Sequence, residues 1–115
     1  GGVGRDVPRG LTVTPAGVAM TGLMSSAVSF ETTANPQPLA YVGGEDAFVV
    51  ELTEEGDFVK GVALGGPGNQ EGRDLELDRD GNMVVTGMME ETLTIDGEVL
   101  YSGGSTDIFV AKIRW

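Results

Sequence analysis

Along short stretches of this chain, polar and apolar residues alternate, and apolar positions do not recur every third or fourth residue. Leu11-Thr12-Val13 and Leu75-Glu76-Leu77 have a period of two, and residues 18–21 and 83–86 are short apolar runs rich in strand formers. Residues 47–52 and 108–113 each follow a double glycine, and residues 58–64 add a further run. Turn chemistry separates these segments: Thr14-Pro15-Ala16-Gly17, Glu54-Glu55-Gly56-Asp57 and Asp78-Arg79-Asp80-Gly81-Asn82. No segment sustains a 3.6-residue period between caps. The pattern predicts an all-β protein whose strands, 11–14, 18–21, 47–52, 58–64, 75–77, 83–86 and 108–113, run in antiparallel meander order. Asp96-Gly97, inside 94–100, has the form of a two-residue hairpin turn. Asn35-Pro36-Gln37-Pro38 predicts a longer irregular loop. Leu11, Val13, Phe48, Val49, Leu75, Leu77, Val84, Phe109, Val110 and Ile113 are the expected core.

The landmarks occur twice. Gly1-Gly2 returns as Gly65-Gly66, Leu11-Thr12-Val13 as Leu75-Glu76-Leu77, and Met20-Thr21-Gly22 as Val85-Thr86-Gly87, at spacings of 64 and then 65 residues. The segment from Gly43-Gly44 through Asp46-Ala47-Phe48-Val49-Val50 returns as Gly103-Gly104 through Asp107-Ile108-Phe109-Val110-Ala111. Their order is the same in both halves, which marks internal repetition. Two units follow, 1–64 and 65–115. The second has no counterpart of the first unit's last strand.

These residues resemble the bacterial β-propeller repeat called SBBP. The second unit carries the likeness in Asp80-Gly81-Asn82-Met83-Val84-Val85-Thr86-Gly87 and in Gly103-Gly104-Ser105-Thr106-Asp107-Ile108-Phe109-Val110-Ala111-Lys112. The first carries it in Met20-Thr21-Gly22 and in 43–50, but its turn lacks the asparagine and its fourth strand lacks the aromatic often found there. The resemblance implies propeller blades, each a four-stranded antiparallel meander, one complete and one without its outer strand. A propeller usually closes with ~4–8 blades, so sister blades or other copies of the chain are the implied partners. It also implies an extracellular or cell-surface protein.

The 115 residues include no cysteine and no histidine, which excludes disulfides, thiolate chemistry, Cys/His zinc sites and histidine-based triads. A net charge of −11 argues against nucleic acid or an anionic membrane as partner. No apolar run approaches the ~20 residues of a membrane-spanning helix, and the N-terminal residues lack the features of a signal peptide.

Three sets of residues are candidates for chemistry. Asp78, Asp80 and Asn82 alternate oxygen ligands in the manner of a calcium loop's start, although position twelve of such a loop would be Met89, and a tight turn accounts for the same residues without metal. No other cofactor is suggested. Tyr41 and Tyr101 stand at matched positions before the double glycines, where they could stack on a sugar with Glu45 and Asp46 reading its hydroxyls, or could simply pack. Asp46 and Asp107, matched ahead of the third strand, are expected to make a repeated hydrogen bond to the neighbouring turn's backbone. The glycine runs at 1–4 and 65–68 lack the Gly-Lys-Ser/Thr ending of a phosphate loop and read as connectors. The expected function is therefore a non-catalytic structural or adhesive scaffold, with a carbohydrate-binding propeller as the alternative. The edge left by 108–115 is expected to be paired in the native state, with Trp115 partly buried there.

Overall fold

The computed structural model describes residues 1–30 and 38–114. Among them the chain is all β. The strands are β1 (Asp6–Thr14), β2 (Gly17–Met24), β3 (Asp46–Thr53), β4 (Phe58–Leu64), β5 (Gln70–Leu77), β6 (Met83–Met89), β7 (Thr92–Ile95), β8 (Glu98–Tyr101) and β9 (Asp107–Ile113). They form a four-stranded sheet in the order β1-β2-β3-β4, a three-stranded sheet β5-β6-β9 and the hairpin β7-β8. Every strand pair is antiparallel. None of the sheets closes on itself among the described residues, and no helix there is long and apolar enough to cross a membrane.

Each predicted segment lies within a strand, and several strands run further than the alternation indicated. β1 and β5 begin five residues before the predicted starts, at Asp6 and Gln70. Each contains a β-bulge, between Pro8 and Gly10 and between Gly72 and Asp74, where the register shifts. An extra residue there swaps the faces, so period-two patterning breaks at that point. The predicted hairpin forms at Asp96-Gly97, with φ of +50° and +79° at the two turn residues. Positive φ at both central positions is what a type I′ turn requires, and glycine adopts it without steric cost. Residues 35–37 of the predicted loop lie outside the described residues.

The two larger sheets share one register. Gly22 sits between Pro8 and Phe48, as Gly87 sits between Gly72 and Phe109. Thr21 sits between Gly10 and Val49, as Thr86 sits between Asp74 and Val110. In both, the extra residue of the bulge is an arginine, Arg9 or Arg73. The strands β1 and β5 lie side by side and in phase: Thr12 Oγ1 donates to Glu76 Oε2 at 3.4 Å, and Gly10 rests on the Asp74 backbone.

The main core lies between the sheets. Ala19, Ala47, Val49 and Leu64 of the first meet Leu75, Met83, Val85, Phe109, Ala111 and Ile113 of the second, with Leu93 of the hairpin buried among them. A second cluster covers the opposite face of the first sheet, where Val28 and Leu39 pack on Phe48 and Val50. Phe30 and Phe48 meet there at a tilt of 48°, with ring centres 5.2 Å apart. Burial corrects part of the expected core. Leu11 and Val13 are 63% and 72% exposed, because they share the face of Met20 and Val50, which, among the described residues, Val28, Phe30 and Leu39 cover only in part. Val110 is exposed as well, since it points to the side of the second sheet that no described residue covers, and Leu77 and Val84 are half-buried. Phe48, Val49, Leu75, Phe109 and Ile113 are buried as expected.

Candidate functional site

The residues singled out in the sequence fall in three places. The first is the segment 41–46, where the chain enters β3. A carboxylate at the start of a strand can cap the turn before it, and Asp46 does so: its Oδ2 accepts the Val42 N–H at 2.6 Å. Asp107 repeats the bond at the start of β9, accepting the Gly103 N–H at 2.5 Å. Asp46 is fully buried, with its carboxyl against Gly65, while its counterpart is exposed. Burial pushes the Asp46 carboxyl above the usual carboxylate range, opposed by the nearby amides of Val42, Gly43 and Gly66. Its Oδ1 has no hydrogen-bond partner among the described residues.

Around Asp46 the strand entry is tied to the connector between the sheets. The Glu45 N–H donates to Asn69 Oδ1 at 3.0 Å, the Gln70 N–H donates to the Glu45 carbonyl at 2.6 Å, and Asn69 Nδ2 donates to Glu90 at 2.9 Å. Gln70, buried at the start of β5, donates Nε2 to the Glu90 and Thr92 carbonyls. The Glu45 carboxylate pairs with Arg5 at 3.1 Å. Asn69 and Gln70, the hubs of this junction, were not singled out in the sequence; a buried glutamine at a strand start carries no local pattern that would mark it.

Tyr41 stands beside this junction and donates its hydroxyl to the Gly44 carbonyl at 2.9 Å, bracing the glycine turn that follows. Tyr101 ends β8 and is 77% exposed, on the free side of the hairpin. Matched in sequence, the two rings have different structural roles. Of the proposed sugar-reading carboxylates, Asp46 is enclosed and Glu45 is engaged with Arg5.

The third place is the β5–β6 turn. Asp78 Oδ1 accepts the Asp80 and Asn82 N–H groups, each at 2.9 Å, and Oδ2 pairs with Lys112 of β9. The Lys112 ammonium, with the Asn82 and Asp80 donors, holds this carboxyl well below the usual range. Asp78 thus organises the turn and pins it to β9, and among the described residues no three acidic side chains converge on a point where a cation could sit. Trp115 lies outside the described residues.

The sheets leave a further surface open. The face of the first sheet carrying Ala19, Thr21, Ala47 and Val49 is buried against the second. Its counterpart on the second sheet carries Val84, Thr86, Ile108 and Val110, and nothing covers it among the described residues. Ala47 and Val49 are 0% exposed, whereas Ile108 and Val110 are 86% and 65% exposed. A shallow depression of about 450 Å³ lies there between Arg73, Met88, Ile108 and Val110. Beside it, a groove of about 330 Å³ separates the edge of β9, unpaired among the described residues, from the hairpin, and is lined by Ile95, Leu100, Val110 and Lys112. It flanks the edge that β4 occupies in the first sheet. No family model matches the chain, and no curated protein or solved structure matches it.

Proposed function

We propose that the chain is a non-catalytic β-propeller repeat module, similar to SBBP repeats, which serves as a structural or adhesive scaffold within a larger array of like blades. One observation carries the reading: the second sheet exposes the face that the first sheet buries. Two sheets with one register and one bulge pattern, β1 and β5 in phase, stand to each other as consecutive units of a repeat. Repeats that bury their faces only against neighbours form an extended core by stacking. Ile108, Val110 and Val84 then form the surface on which the array continues, and the edge of β9 that no described strand pairs accepts an outer strand. An open strand edge beside exposed apolar residues otherwise invites aggregation.

Of the residues proposed for sugar binding, Asp46 is enclosed, Glu45 pairs with Arg5, and Tyr41 is engaged with its own turn. This favours the scaffold over the lectin. Native mass spectrometry and small-angle scattering of the protein from its natural source test the reading. Four or more such sheets per particle are expected, in keeping with the ~4–8 blades of closed propellers. A well-behaved particle holding two sheets only would refute it. On a glycan array the protein is expected to bind no sugar; specific binding lost on substitution of Tyr41 and Tyr101 would restore the lectin.

A further inference from the structure

The interface between the sheets specifies what its neighbours must carry. Two contacts define it. Thr21, fully buried, donates Oγ1 to the Phe48 carbonyl at 2.6 Å and rests directly on Gly72. A β-carbon at residue 72 would collide with the Thr21 hydroxyl and approach its β-carbon to 3.1 Å, so only glycine fits. Arg9, the extra residue of the first bulge, reaches across to pair with Glu71. A Glu-Gly pair on the inner strand of the second sheet therefore receives a threonine and an arginine from the first.

The open face presents the same two groups again. Thr86 is the counterpart of Thr21, and Arg73, in the second bulge, is the counterpart of Arg9. Thr86 is exposed. The Arg73 guanidinium turns back to its own Glu71 at 3.1 Å and to Met88 Sδ at 2.9 Å. In the first sheet, the residues at the places of Glu71 and Gly72 are Val7 and Pro8. Were the first sheet of a second copy to dock there as the second sheet docks on the first, Pro8 would meet the Thr86 hydroxyl, and Val7 would offer Arg73 no acid in the place where Glu71 offers one to Arg9.

We infer that the open face of the second sheet is a socket for a further repeat whose inner strand carries a Glu-Gly pair at the places of Glu71 and Gly72, and that it rejects the first sheet of a second copy. This rests on the array reading above and selects among its forms: growth through another, glycine-bearing unit, not a ring of identical chains joined at this face. Shape and charge act together. The glycine admits the threonine, and the glutamate pairs the arginine, as at the existing interface.

The test extends the full chain at its C-terminus by a copy of its own residues 55–114, which supplies both an outer strand for β9 and a unit with the Glu-Gly pair. A second extension carries Glu71→Val and Gly72→Pro in the copy alone, reproducing the first sheet's residues. The chain has no cysteine, so Ile108→Cys in the original unit places a unique thiol on the socket, and Ala47→Cys in a parallel pair of proteins reports the existing core. Thiol labelling by a maleimide is expected to slow roughly tenfold or more at position 108 with the Glu-Gly extension, because a covered site reacts only through opening. With the Val-Pro extension it is expected to match the unextended chain, while position 47 stays protected throughout. Equal protection by both extensions would overturn the Glu-Gly selection and leave the array standing. Protection by neither, with position 47 still protected, would overturn the array reading itself.

Discussion

Phe109 and Val110 are neighbours on β9 and point to opposite faces, which makes them a direct test of which side of the second sheet is core. Phe109 is buried between the sheets, with its ring lying over Gly87 of β6. Truncating a core phenylalanine costs about 3–5 kcal/mol, the sum of lost transfer energy and the cavity left behind. The close fit against Gly87 leaves little room for collapse, so the upper half of that range is expected. For a domain of this size, ~1 kcal/mol moves Tm by roughly 4–6 °C, and Phe109→Ala is expected to lower it by about 15 °C or more. Val110→Ala removes two methyl groups from a side chain facing solvent and is expected to change stability by about 0.5 kcal/mol or less. Circular dichroism melts and urea titrations of both variants, in the same background, give the comparison. A Phe109→Ala protein that melts with the parent would refute the assignment of faces, as would a Val110→Ala protein that loses as much as Phe109→Ala.

Other expectations follow from the hairpin, the turn and the buried acid. Leu93→Ala is expected to cost about 2–5 kcal/mol by urea titration, although the residue belongs to a two-stranded hairpin outside both large sheets, because its side chain is fully buried in the inter-sheet core. The Asp78 carboxyl titrates lower in the folded chain than its ordinary 3.8, so its contribution is present above that value and is lost as pH falls below it. Asp78→Asn is accordingly expected to lower stability near neutrality and to flatten the acid limb of the midpoint-against-pH curve. Asp46 has the opposite sign: its folded carboxyl binds a proton more readily than the unfolded one, so the cost of burying its charge is present at neutral pH and is relieved on acidification. Asp46→Asn, which keeps an acceptor for the Val42 amide, is expected to match or exceed the parent's Tm at pH 7; a large loss there would contradict the account. Gly72→Ala, introduced against the buried Thr21, is expected to lower Tm by several degrees, with Thr21→Ala in the same chain restoring part of the loss.

How far the fold is legible in the sequence depends on where alternation holds. Between Leu11 and Val13, or Leu75 and Leu77, the period of two marks the strands. At Arg9 and Arg73 an extra residue shifts the faces, and the preceding halves of β1 and β5 become invisible to pattern. Alternation also names two faces without saying which is covered. Leu11 and Val13 were therefore expected inside and lie largely in water, while Phe48 and Val49, adjacent and opposite, are both buried because β3 is covered on both sides. Of the candidate sites, the caps made by Asp46 and Asp107 could be anticipated, because a short carboxylate bonding a nearby amide is local chemistry. The pairing of Arg9 with Glu71 and the seat of Thr21 on Gly72 join residues from different sheets, and no local signal marks them.

The packing of Val28 and Leu39 on the first sheet has a consequence during biosynthesis. The first sheet, with Val28 and Leu39, is synthesised before any of the second, and once it folds, Phe48 and Val50 are shielded by its own chain. The other side, with Ala19, Ala47 and Val49, stays bare until the strands through β9 leave the ribosome, an interval of a few seconds at ~5–20 residues per second. A nascent chain of this kind therefore offers a chaperone, or a neighbouring nascent chain, one greasy flank where a bare β-sheet would offer two.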